Sequence, residues 1–138
     1  MIIEMKKELM YSELERKLIK LAYKNIYKCN GRSRHISFLL NGKKIESIGF
    51  NSQIKTHTLC HKHNYWKDHI HSEVHAVIKC KRIHLIDGFS LWNIRIDRHG
   101  NIRISKPCDR CMEFIKKIGI KKVYYTKNNG EFACLKNI

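Results

Sequence analysis

The chain is short of acid and of proline: 12 Asp and Glu stand against 28 Lys and Arg in 138 residues, and Pro107 is the single proline. It also has no apolar run approaching the roughly 20 residues of a transmembrane helix, so no such span is expected. Its start, Met1-Ile2-Ile3-Glu4-Met5-Lys6, lacks the apolar stretch of a secretory signal. Without visible secretion, six cysteines do not imply a disulfide scaffold. Cys29, Cys60, Cys80 and Cys134 read as reduced thiols, and the expected location is cytoplasmic. The length suits one domain, 1–138, burying a single core. The missing acid leaves a formal charge of +16, which attracts polyanions, nucleic acid first. An AT-rich genome, favouring Lys, Ile and Asn, would give the same charge without any partner.

Periodicity supplies the elements. Ser12 and Glu15 form a capping box, and Leu14, Leu18, Leu21, Ala22 and Ile26 recur at helical spacing. The first helix is therefore expected over 12–28, ended by Asn30-Gly31. Tyr23 and Tyr27 on it read as packing residues. Strands are expected over 34–40 and 44–50, joined at Asn41-Gly42. Ile45, Ser47 and Gly49 of the second should face away from Glu46, Ile48 and Phe50. Residues 52–70 show no period and read as an ordered loop, dense in Lys55, His57, Cys60, His61, His63, Trp66 and His69. That loop is either a substrate gate or a second zinc site built on Cys60-x-x-His63. A second helix is expected over 71–81. Beyond it Trp92, Ile94 and Ile96 alternate with Asn93, Arg95 and Asp97, and after 98–101 the alternation resumes at Ile102 and Ile104, as a hairpin or as an arm leading to Pro107. Pro107 is expected at the first position of a third helix ending at Gly119. Strands over 121–126 and 131–135 are separated only by a turn, so they must pair antiparallel.

Two short motifs carry the chemistry. His71-Ser72-Glu73 offers an imidazole and a carboxylate; Pro107-Cys108-Asp109-Arg110-Cys111 offers two thiols one helical turn apart. One His and two Cys make the three-ligand zinc pattern that leaves a fourth position for water, whereas a structural site uses four protein ligands. Glu73 is the unligated acid or base beside it. Residues two apart on a regular helix project about 200° apart, so His71 and Glu73 share a site only if His71 lies at the helix mouth. His75, one turn deeper, reads as a packed histidine. The positive end of the third helix favours the thiolate forms that bind metal.

H-x-E followed by P-C-x-x-C resembles the zinc-dependent cytidine and deoxycytidylate deaminase superfamily, and the order of elements extends the resemblance over most of the chain. It implies a three-layer α/β/α fold with a mixed five-stranded sheet, helices on both faces and an antiparallel C-terminal strand pair. It implies Zn2+ held by His71, Cys108 and Cys111, hydroxide attack on C4 of a cytosine or C6 of an adenine, and Glu73 as proton shuttle. Asn51, matching a Gly-x-Asn strand end, is expected against the substrate sugar or as an ordinary strand-end Asn. Ser72 and Lys55 complete the substrate-binding candidates. The 33 residues between Glu73 and Pro107 exceed the usual spacing of the superfamily.

Lys55, Lys62, Lys67, Lys106, Arg110 and Lys127 are the cations expected at an entrance, and they suit a phosphate. The expected function is hydrolytic deamination of cytosine in a nucleoside or nucleotide. The alternatives are deamination within RNA or single-stranded DNA, and a catalytically inactive binding module. The expected partners are that substrate, nucleic acid through the charge, and further copies of the chain in a homo-oligomer.

Overall fold

The computed structural model describes residues 11–31, 33–53 and 70–138. Helix α1 spans Glu13–Asn25, with Ser12 and Glu15 closing the expected capping box. A 3-10 turn, Ile26–Lys28, takes the last three residues that periodicity assigned to this helix. The strands are β1 (Arg34–Asn41), β2 (Lys44–Phe50), β3 (Ser90–Ile96), β4 (Ile102–Arg103), β5 (Lys122–Thr126) and β6 (Phe132–Lys136). Helices α2 (Ser72–Lys79) and α3 (Asp109–Ile118) and a second 3-10 turn, Ile83–Gly88, complete the described elements. The mixed sheet runs β2-β1-β3-β5-β6, with the short β4 beside β3. β3 and β5 are parallel, and β5 and β6 are antiparallel, as the short turn between them requires. The stretch 90–104 is thus a hairpin, β3 to β4, before the chain reaches Pro107.

Alternation along the strands sends each row of side chains to one layer. Leu39, Leu91 and Val123 are neighbours in register and join Val74, Val77, Phe114 and Ile115 under α2 and α3. Ile36, Phe38, Trp92 and Ile94 point the other way, against Leu18 and Ala22 of α1. Three layers with helices on both faces result, as expected. The dry side is aromatic: Trp92 stacks on Tyr124 at 3.9 Å and 8°.

Several local expectations shift. The hairpin turn falls on Gly42-Lys43, because Asn41 still pairs with Lys44, and Gly42 supplies the positive φ of 62°. β2 does not alternate throughout. Leu39 faces Ser47 while Leu40 faces Ile45, so Glu46 is an extra, bulged residue. The bulge turns Ile45 to the α1 side with Ile48, and leaves Ser47 and Gly49 facing α2. Pro107 is not the first helical residue. Cys108 is the N-cap of α3, so Pro107 precedes it in the incoming extended chain. Tyr23 and Tyr27 are not packed away, being 41% and 76% exposed.

Candidate metal and catalytic centre

The mouth of α2 is set by contact with β2. A Cβ on Gly49 would lie 2.3 Å from both Ala76 N and Ser72 O, so only glycine lets the helix backbone settle here. Ser47 Oγ donates to Ala76 O at 2.7 Å, and Phe50 N–H donates to His75 Nδ1 at 2.8 Å. His75 is therefore hydrogen-bonded scaffold, as its depth in the helix suggested. His71 is the N-cap of α2, extended at φ −84° and ψ 154°. That is the helix-mouth position in which His71 and Glu73 can address one site.

Cys108 caps α3 in the same extended way, and Cys111 lies one turn on. The two helix mouths meet. His71 Nδ1 is 3.7 Å from Cys108 Sγ and 3.5 Å from Cys111 Sγ. One donor atom from each of the three residues lies within 4.8 Å of the others. The chemistry of this set, one imidazole and two sulfurs, fits Zn2+. Cys108 is held down to about 4, first by the hydrogen bond from Cys111 and then by His71, against its own burial. That same hydrogen bond, with burial, pushes Cys111 well up. A divalent cation takes both sulfurs as thiolates and would displace any proton that they share.

Glu73 is 5% exposed and sits on a buried polar chain that crosses the sheet. Ser72 Oγ donates to Glu73 Oε1 at 3.0 Å and lies 2.7 Å from Ser37 Oγ. Ser37 donates to Asn93 Oδ1 at 2.6 Å, and Asn93 Nδ2 donates to Ser105 O at 3.2 Å. Ser105 Oγ donates back to Asn93 O at 2.8 Å, and Thr126 N–H donates to Ser105 Oγ at 2.8 Å. Ser37 and Asn93 are direct cross-strand partners, so sheet register makes this link. The chain ties the carboxylate to the segment that carries Lys106, Pro107 and Cys108. Sequence reading missed it, although Asn93 among Leu91, Trp92 and Ile94 is a polar residue in an apolar strand.

A cleft of about 350 Å³ opens over these groups. Asn51 and Ser72 both line it. The Asn51 amide also braces the chain, accepting from His35 N–H at 2.9 Å and donating to Ser33 O at 2.5 Å. Among the described residues these two bonds use one N–H and one lone pair of that amide. The Ser72 hydroxyl, at 1% exposure, turns inward to Glu73 and Ser37. Lys55, the third substrate-binding candidate, lies outside the described residues, as do Cys60, His61, His63 and His69 of the second-zinc reading. Among the entrance cations Lys106 lines the cleft. Lys127 is 3.3 Å from Glu131, and Lys62 and Lys67 also lie outside the described residues.

His35 and Gln53 line the cleft without having been singled out by sequence. Burial lowers the His35 pKa, helped by Arg95 and His71 and opposed by Glu73 and Cys108. Its signal was available: on β1, His35, Ser37 and Leu39 share the face that carries the site.

The fold and the His-Cys-Cys cluster fit a zinc-binding deaminase domain, and comparison places the chain in a family. The model of the cytidine and deoxycytidylate deaminase zinc-binding region matches residues 12–127, and the chain belongs to that family. In fold it is similar to cytidine deaminase from Burkholderia pseudomallei, with TM-score 0.62, 15% identity, and 92% of this chain and 94% of that one covered. It is also similar to dCMP deaminase from the cyanophage S-TIM5 in complex with dCMP and dUMP. There the TM-score is 0.57, the identity 22%, and the coverage 86% and 84%. None of the curated proteins compared with this chain matches it. No helix among the described residues is long and apolar enough to cross a membrane.

Proposed function

We propose that this chain is a hydrolytic deaminase converting the cytosine base of a nucleoside or nucleotide to uracil. The observation that carries the reading is the convergence of His71, Cys108 and Cys111 near the buried carboxylate of Glu73, with His71, Glu73 and Cys108 lining one cleft. His71, Cys108 and Cys111 are the residues that would hold zinc. When bound, zinc acts as a Lewis acid and lowers the pKa of a water toward neutrality.

The chain's own residues supply the rest. Glu73 takes a proton at a carboxylate oxygen, passes it to N3 of the base, and then serves the departing amine, so that ammonia leaves and a carbonyl remains. Ser72, Ser37 and Asn93 hold that carboxylate in one place. Asn51, which lines the cleft, would meet a sugar hydroxyl with its side-chain amide. Lys106 offers a cation there for a phosphate. Lys55 is proposed to join them on the residue pattern alone. A reducing, cytoplasmic setting would keep both thiols available to the metal.

The test is ammonia and uracil release from cytidine, dCMP and adenosine, with zinc measured on the same samples. Turnover of a cytosine substrate by zinc-loaded protein is expected. Turnover of adenosine alone would replace the base assignment. Full zinc occupancy with no release from any substrate would favour the inactive binding module.

A further inference from the structure

The outer face of α1 carries charge that the site does not use. From Arg16 to Lys28 the chain has Arg16, Lys17, Lys20, Lys24 and Lys28 and no acid, and all five are exposed. The acids of the helix, Glu13 and Glu15, sit in its first turn. Arg16, Lys20 and Lys24 are four apart, so cations recur about every 6 Å along one side. Tyr23 and Tyr27 interleave with them, and Tyr27 keeps 76% of its surface in water. Lys28 Nζ lies 5.9 Å from the Tyr27 ring and 5.5 Å from the Phe50 ring. Lys79 reaches the same Phe50 ring at 5.6 Å, from a helix on the other layer.

The stripe ends at the cleft. Asn30 N–H donates to Asn51 O at 3.0 Å, and Gln53 N–H donates to Asn30 O at 3.0 Å. Asn51, Gln53 and Ser33 line the cleft itself. Tyr23 donates its hydroxyl hydrogen to Gly100 O at 2.6 Å, which brings the β3–β4 turn and its exposed Arg98 alongside.

We propose that this face binds a single-stranded polynucleotide. Its phosphates follow Arg16, Lys20, Lys24, Lys28 and Lys79, a base stacks on Tyr27, and the strand leads toward the cleft. Regularly spaced cations beside an exposed ring are what a flexible polyanion with π-faces requires; a duplex keeps its bases stacked away from such a ring. The proposal goes beyond the deaminase reading and does not depend on it, since binding is measured without turnover.

Anisotropy of a labelled single-stranded oligoribonucleotide, titrated with salt, tests it on the full chain. Replacing Lys20→Gln and Lys24→Gln together is expected to reduce the slope of log affinity against log salt by about 1.4, at about 0.7 per phosphate. Tyr27→Ala is expected to weaken binding about tenfold. The matched pair Lys116→Gln with Lys117→Gln, exposed at the far end of α3, is expected to leave binding unchanged. Equal weakening by that control pair would overturn the proposal in favour of diffuse attraction by net charge, and an unaffected Tyr27→Ala would overturn it too. Turnover of free cytosine substrate by all three variants is expected to match the parent. A parent without turnover would defeat the deaminase reading and leave this binding test intact.

Discussion

The two faces of the sheet are built from the same strands and both bury an apolar core, yet only one also carries a polar row. Toward α1, Phe38, Trp92 and Tyr124 form a dry cross-strand row, closed by ring stacking. Toward α2 and α3, the neighbouring row of Ser37 and Asn93 is polar and buried, and its contacts run to Ser72 beside Glu73 and to Ser105 in the Cys108 segment. A one-residue step along β1 or β3 changes the role of a side chain from packing to positioning. The α1 face is thus packing alone, whereas the α2 and α3 face combines an apolar core around Leu39, Leu91 and Val123 with this polar row.

Breaking the polar face at its metal end should have the largest effect. Cys108→Ser is expected to remove tightly held zinc and with it all measurable turnover, checked by metal analysis after dialysis. Next is the contact that sets the helix mouth. Gly49→Ala places a methyl against Ser72 O and Ala76 N and should cost about 3 kcal/mol in urea unfolding. A third test compares the faces directly. Asn93→Leu removes the acceptor of the Ser37 hydroxyl and the donor to Ser105 O and should lower kcat about tenfold, with KM nearly constant and a stability loss of about 2 kcal/mol. Trp92→Leu should lose a similar stability but keep kcat per folded molecule. If both lower kcat alike, the division of labour between the faces is wrong.

The smallest expected effect lies outside both faces. Backbone N–H donation from Asn101, then Arg103 and the His99 N–H, holds Asp97 down to about 2 from 3.8. A depressed carboxylate stabilises the fold above its unfolded pKa and loses that contribution as pH falls through the folded one. Asp97→Asn should therefore be slightly less stable than the parent above about pH 4, with the difference vanishing near pH 2. Paired acid and urea titrations measure it.

Much of this was legible in the chain. The cluster of His71, Cys108 and Cys111 was legible because metal chemistry fixes residue type and spacing, and His71 had to stand at a helix mouth for simple angular reasons. The layers followed from strand alternation and from the short C-terminal turn. What escaped depended on register and close approach. The Glu46 bulge is invisible to a period-two pattern, and the Ser37–Asn93 link exists only once β1 and β3 are aligned. The inward turn of the Ser72 hydroxyl needed that link. The exposure of Tyr27 needed the helix to end three residues early, at Asn25.

The central claim is that Glu73 moves the proton in a site whose other residues hold zinc. It is tested most directly by uracil formation from cytidine and dCMP with zinc-loaded parent and Glu73→Gln. The account predicts equal zinc content and a loss of turnover in the variant of about 10²-fold or more. Full turnover by zinc-loaded Glu73→Gln would contradict it.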